Sequence, residues 1–319
     1  MNRLTKMLVV FFAAMVCVSM AAGPSHAKIY KGLFLYWRGE TPCGAGFKEG
    51  LKNLGYEIAA VEYNANRNKD NLDNYLAAVK ESDFDFVYTF STTVGVEASK
   101  YIKNTPIFFG VVTDPVKAGM VKSWESSGNN VTGISHNVPF PDQVDFILKV
   151  GKFKRIAVIY NLLEANSVIA IEELQSRLGP KGIKVQAYPA CEVRQIKDTI
   201  ADIIEFKPDL VYLPSDTFIL VNGDTIIPAF TAAKLPTYGA LEKYLDSQGA
   251  MVGIVCSYRS VGLELANSAA QVFQGKRPTD VPCKTLPPNM QTIKVNPKTA
   301  QQVGFKIPKE IMSSAQIIQ

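Results

Sequence analysis

Short apolar runs alternate with amphipathic stretches along this chain. Residues 29–37 (I-Y-K-G-L-F-L-Y-W) read as a strand, followed by a polar loop over 38–44. Over 47–54 the apolar positions Phe47, Leu51 and Leu54 share one helical face, which Gly55 closes. A strand at 56–64, a helix at 71–79, a strand at 84–90 ending on Ser91-Thr92-Thr93 and a helix at 94–102 follow. Residues 107–112 are apolar apart from Gly110, as a central parallel strand requires. Thr113-Asp114-Pro115 stops that strand. Asp114 suits the N-cap and Pro115 the first position of a short helix before a strand at 131–135. Strands alternating with helices predict a doubly wound parallel sheet.

The pattern then begins again. A helix at 140–150 precedes a strand at 155–160 that stops on Asn161, and a helix at 165–178 ends at Gly179-Pro180. A strand at 183–188 and a helix at 193–206 come next. The strand at 209–213 stops on Pro214-Ser215-Asp216-Thr217. A helix at 226–233, strands at 236–241 and 250–256 around a short helix at 242–246, a helix at 261–273 and a tail strand at 292–296 complete the pattern. Two similar α/β halves meet near 135–139 without a low-complexity linker. This predicts two lobes whose strand ends face each other across a cleft.

Composition narrows the picture. At 319 residues, 47% hydrophobic and 20% charged, the chain is ordinary for a folded protein and long enough for two cores. The first 27 residues read as an export leader: Arg3 and Lys6, an apolar run over 7–20, then Ser25-His26-Ala27 as a small-x-small cleavage signal. The alternative is an uncleaved anchor, for which the run falls short of the ~20 residues that span a bilayer. Cys17 lacks the small preceding residue and upstream Leu of a lipid-attachment signal, so the expected product is soluble and exported. Cleavage takes away two basic residues and no acid, so the formal charge drops from +5 to +3. Basic residues are interspersed with acids, which argues against a nucleic-acid surface. Cys43, Cys191, Cys256 and Cys283 remain, none in C-x-x-C spacing. Export permits disulfides, and the sequence does not choose between free thiols and the three possible pairings.

Catalytic constellations are poor. His136 is the one histidine outside the leader, and its place at the lobe junction reads as a surface or hinge residue. There is no G-x-S-x-G, H-E-x-x-H, P-loop or G-x-G-x-x-G. No catalytic residue, cofactor or metal is expected.

Candidate chemistry gathers instead at the ends of the strands. One half supplies Trp37, Arg38 and Glu40, then Ser91, Thr92 and Thr93, then Thr113 and Asp114. The other supplies Asn161, Glu164, Asn166 and Ser167, then Ser215, Asp216 and Thr217, then Glu242. Hydroxyls and helix N-termini suit a carboxylate, whereas Asp114, Asp216 or Glu242 suits an ammonium group. That mixture fits a zwitterion, with Trp37 or Phe218 to stack on its body. Each residue taken alone reads more simply as a helix cap.

These stretches resemble the substrate-binding proteins of ABC transporters with the periplasmic-binding-protein type I fold, in particular the tryptophan/tyrosine-type family. The matching segments are Gly46-Phe47-Lys48-Glu49-Gly50-Leu51, Val112-Thr113-Asp114-Pro115-Val116, Gly128-Asn129-Asn130-Val131-Thr132-Gly133, the run from Arg155 to Asn161 with Glu164-Ala165-Asn166-Ser167, Leu213-Pro214-Ser215-Asp216 and Gly275-Lys276-Arg277-Pro278. The resemblance implies two Rossmann-like lobes joined by a three-crossing hinge near 135–139, 255–259 and 285–289. The implied lobes are residues 28–136 with 257–286, and 137–256 with 287–319. Ligand contacts carried over are Ser91 to Thr93, Thr113, Asp114, Asn161, Asn166, Ser167, Ser215 and Asp216. Trp37, Glu40 and Glu242 join them from the reading of the strand ends. The function implied is a monomeric periplasmic binder that delivers an amino acid, aromatic in some members of the family, to an ABC permease in the inner membrane. The alternatives are a periplasmic sensor of the same fold feeding a receptor and, more distantly, a secreted α/β enzyme. The first loop and the apolar Ala240-Leu241 depart from the family pattern at positions bearing on the ligand.

Overall fold

The computed structural model describes residues 28–318, so the leader lies outside the described residues. Strands β1 (Ile29–Tyr36), β2 (Glu57–Asn64), β3 (Phe86–Phe90), β4 (Ile107–Gly110) and β5 (Val131–Ser135) build one sheet. Strands β6 (Arg155–Tyr160), β7 (Lys184–Pro189), β8 (Leu210–Leu213), β9 (Thr237–Gly239) and β10 (Val252–Cys256) build a second. The chain then returns. β11 (Lys284–Thr285) joins the first sheet, and β12 (Gln291–Val295) and β13 (Gln316–Ile317) join the second. The orders are β11-β5-β4-β3-β1-β2 and β13-β12-β10-β9-β8-β6-β7. Every pairing is parallel except β10 with β12. The molecule is therefore two α/β lobes. Among the described residues no helix is long and apolar enough to cross a membrane.

The central strands are buried on both faces: β3, β4, β5 and β8 have no exposed position. Aromatic side chains fill one face of the first sheet, with Phe47 stacked on Tyr88 at 5.2 Å between centroids and Phe34 close to both. The chain passes between sheets after β5, after β10 and after β11. After β10 the helix Tyr258–Phe273 comes back against the helix Pro42–Asn53 of the first lobe. Glycines let the two backbones meet. A Cβ on Gly262 would stand 2.1 Å from the Cys43 carbonyl oxygen, and one on Gly46 would stand 2.4 Å from that of Arg259.

The first crossing is pinned by buried Gln143, whose amide donates to Asn137 Oδ1 at 3.1 Å and to the Val138 carbonyl at 2.7 Å. Its oxygen accepts from the Tyr212 and Tyr238 hydroxyls at 2.7 and 3.3 Å.

Several boundaries differ from expectation. The first helix starts at Pro42 inside the expected loop. A five-residue helix, Thr217–Val221, precedes Gly223–Ala232. No short helix follows Asp114. Asp114 does cap the turn, its Oδ1 accepting from the Val116 and Lys117 amides at 3.0 Å each. The backbone completes only one turn before Gly119, at φ +72°, diverts it. β4 stops at Gly110 rather than 112, because Val111 lies at φ +61° and cannot continue a strand. Among the described residues the four cysteines are free, with Cys43, Cys256 and Cys283 buried.

Candidate functional site

In both sheets the strand order reverses beside the first strand of the half, at β1/β3 and at β6/β8. Such reversals leave crevices at the carboxyl ends of strands, where open α/β sheets take ligands. The two crevices face each other across a cavity of about 390 Å³, counted with its open mouth. Its first-lobe wall is Trp37 and Arg38 after β1, Phe90 to Thr93 after β3, and Val111 and Thr113 after β4. The second-lobe wall is Glu164 and Asn166 after β6, Ser215 to Thr217 and Leu220 after β8, and Leu241 after β9. Tyr258, where the chain re-enters the first lobe, completes it.

Two wall residues sit in unusual backbone. Ser91 has φ +89° and Val111 φ +61°, and the Ser91 amide donates to the Gly110 carbonyl at 3.3 Å. Such conformations cost about 1–3 kcal/mol each for residues other than glycine. They turn the chain at the ends of β3 and β4, so that both residues face the cavity.

The second lobe brings two carboxylates to one helix start. Asp216 caps Thr217–Val221, its Oδ1 accepting from the Ile219 amide at 2.9 Å. Its Oδ2 accepts from the Asn161 amide at 2.7 Å and the Ser167 hydroxyl at 2.5 Å, tying three segments together. Glu164 accepts from the Thr217 and Phe218 amides at 2.9 and 3.1 Å and from Asn166 Nδ2 at 3.2 Å. Burial, and then the charge on Asp216, push the Glu164 carboxyl up to about 7 despite those donors. Burial likewise raises Asp216 against its own donors.

Across the chamber stands Arg38, half-buried and 5.9 Å from the Phe90 ring centroid. Among the described residues no carboxylate comes within ion-pair distance of it. Tyr258 packs edge-on to Phe90 and to His136, at 5.8 and 5.6 Å. His136 Nε2 lies 2.7 Å from Ser215 Oγ, a contact between the lobes. Burial lowers the imidazole to about 3, so it stays neutral. It is a buried hinge residue and not a surface one. The Thr113 hydroxyl is buried on the chamber wall without a partner, which leaves it free for a ligand.

Of the residues expected at the site, Trp37, Ser91, Thr92, Thr93, Thr113, Asn166, Ser215 and Asp216 line this chamber. Five do not. Glu40 pairs outside it with Lys48 at 2.9 Å. Asp114 faces a neighbouring groove, with one oxygen used on its own turn. Asn161 and Ser167 stand behind the wall, where they hold Asp216. Glu242 pairs with Lys294 at 3.1 Å. Arg38, Glu164 and Thr217 were visible as strand-end polar residues and prove to be wall residues. Phe90 and Val111 read in sequence as strand residues, Leu241 stands out there only as an apolar departure at a strand end, and Leu220 and Tyr258 carry no site signal; the facing of the lobes puts all five on the cavity.

Two facing lobes with a chamber between them at both strand-order reversals define a ligand-binding protein. Solved structures share the architecture. A conserved domain protein from Vibrio cholerae matches at TM-score 0.83 and 27% identity, covering 92% of this chain and 100% of that one. An ABC domain in complex with L-Trp from Streptococcus pneumonia matches at TM-score 0.83 and 22% identity, with the same coverage. A ligand-free, open substrate-binding protein with adhesive properties from Clostridium difficile matches at 0.69 and 22%, covering 91% and 99%. The tyrosine-binding protein of Clostridioides difficile strain R20291 is 28% identical over 246 residues, 76% of this chain and 71% of its own. The family model described as ABC transporter substrate binding protein matches residues 40–318, and the chain belongs to that family. It is therefore a binding component and not an enzyme.

Proposed function

We propose that this chain is the exported solute-binding component of an ABC importer and that its ligand is a free aromatic amino acid, tryptophan or tyrosine. The observation that carries this is the chamber's polarity. An unpaired guanidinium, Arg38, and a buried carboxylate pair, Glu164 and Asp216, share one cavity whose remaining wall mixes hydroxyl and amide side chains with the aromatic and aliphatic groups of Trp37, Phe90, Val111, Leu220, Leu241 and Tyr258. Arg38 takes the ligand carboxylate, with Ser91 to Thr93 and the unpartnered Thr113 hydroxyl beside it. The carboxylate pair takes the ammonium. Trp37, Phe90 and Tyr258 hold the ring. The names of the tyrosine-binding relative and of the L-Trp complex support the ligand class.

The lobes close over the ligand by bending at the three crossings. We take lobe one as residues 28–136 with 257–286 and lobe two as 137–256 with 287–319, a division that the sheet memberships support. The higher TM-score to the ligand-bound structure than to the open one, 0.83 against 0.69, supports a closed form. The leader directs the protein to the periplasm, where it acts as a monomer with an inner-membrane permease as its partner. Calorimetry and thermal shift on refolded, ligand-stripped protein test the ligand. Tryptophan or tyrosine raises the melting temperature and quenches or shifts Trp37 fluorescence. No shift with any aromatic amino acid, and none co-purified by native mass spectrometry, overturns the reading.

A further inference from the structure

We propose that the turn at residues 114–121 is a latch between the lobes and that Lys117, outside the chamber, sets how long a ligand is held. The role rests on the binding function just proposed. Lys117 Nζ lies 2.5 Å from Glu173 Oε1, on the helix Ala165–Leu178 of the other lobe. That helix begins with Asn166 of the chamber wall. The turn bearing Lys117 leaves the chamber wall at Thr113. The bridge therefore joins two elements that each carry ligand-facing residues.

The turn is built as a rigid arm. Asp114 caps it, Pro115 carbonyl oxygen accepts from the Met120 and Val121 amides at 2.9 and 3.2 Å, and Met120 and Val121 are buried in the first lobe's core. Its tip belongs to the other lobe: Ala118 packs against the second lobe's main core cluster. Glu173 is almost fully buried and is oriented from its own lobe by Arg177 Nε at 2.6 Å. Arg177 keeps Glu173 compensated when the lobes part, so of the two ion pairs of Glu173 opening breaks only the one with Lys117. Beside the latch a groove lined by Asp114, Trp124, Asn137, Phe140 and Arg177 stays unfilled. Around this groove the lobes meet through the turn and through the approach of the helix Thr92–Tyr101 to Ala165–Leu178.

The test compares wild type with Lys117→Met, Glu173→Gln and the double variant, all at sites away from the chamber. With L-tryptophan and L-tyrosine as probes, stopped-flow dissociation is faster in Lys117→Met by about three- to ten-fold, with a smaller change in association. Both single variants remove the Lys117–Glu173 bridge, and Glu173→Gln also removes the pair with Arg177, so the double variant is no faster than Glu173→Gln alone. Small-angle scattering of the ligand-free protein gives a larger radius of gyration for Lys117→Met at low salt, and the difference vanishes at about 1 M salt, where the bridge is screened. An unchanged dissociation rate, or effects that add in the double variant, overturns the latch. If neither amino acid binds wild type, the ligand reading fails by itself. Scattering then decides, and equal radii at low salt overturn the latch.

Discussion

Glu164 shows how one side chain carries both a structural and a functional charge. Its carboxyl lies at a helix start, where backbone amides favour the ionised form, yet burial and Asp216 win and raise it to about 7. The folded protein therefore holds a proton that the unfolded chain has lost. Glu164 stabilises the fold fully below about 4.5, and that contribution is gone above about 7. In the proposed binding mode a ligand ammonium reverses the preference by pairing with the ionised pair. Affinity for the amino acid should thus rise with pH through about 7 and level off above it. Binding near pH 6 should release up to one proton, readable by calorimetry in buffers of different ionisation enthalpy. Glu164→Gln should flatten the pH profile and weaken binding by about ten- to a hundred-fold. A flat wild-type profile would place the ammonium elsewhere. Sequence reading could collect Glu164 with the other strand-end polar residues. It could not separate it from Glu40 or Glu242, which end on Lys48 and Lys294 in the fold. The positive φ of Ser91 and Val111 had no signal at all, since neither residue type favours it.

Among the elements, the strands and long helices were the most legible. Phe140–Val150, Arg155–Tyr160 and Ala165–Leu178 fall where the apolar spacing put them, because each buries one continuous face. The failures lie at short polar pieces. Thr217–Val221 buries only Ile219 and Leu220 and is held by Asp216 and Glu164, so its helicity comes from tertiary capping and not from periodicity. The contact between Pro42–Asn53 and Tyr258–Phe273 depends on glycines from distant parts of the chain. Gly262→Ala should place a methyl carbon against the Cys43 carbonyl and destabilise the protein by about 1–3 kcal/mol or more, measured by denaturant unfolding. Gly275→Ala, at a helix end with nothing near its Cβ position, should carry only the cost of its φ of +103°. Equal losses from the two would show that the helices can separate to make room.

For the whole molecule, the free thiols offer a probe of both lobes at once. Burial pushes Cys43 and Cys256 up to about 12 and Cys283 up to about 11, while Cys191 is partly exposed. In native protein lacking the leader, a maleimide should label Cys191 promptly and the other three only on unfolding, as counted by intact-mass spectrometry. Prompt labelling of two or more would contradict the packing of the first lobe, and no labelling without reductant would reveal a disulfide.

The sequence by itself determined the two α/β halves, their order and the strand ends at which a ligand site could form. Hydrophobic period and turn residues are local properties, and a strand's carboxyl end follows directly from its direction. The family motifs added the expectation of a hinged binder. Only the tertiary structure decided which strand-end residues share the chamber, because that depends on how two sheets built from distant segments face each other. It also reassigned Asp114 from the chamber to the turn that carries Lys117, and it made Phe90, Leu241 and Tyr258 wall as well as core. A side chain at a strand end has one local environment whichever partner it meets. The partner, and with it the chemistry, is set by how the two lobes face each other.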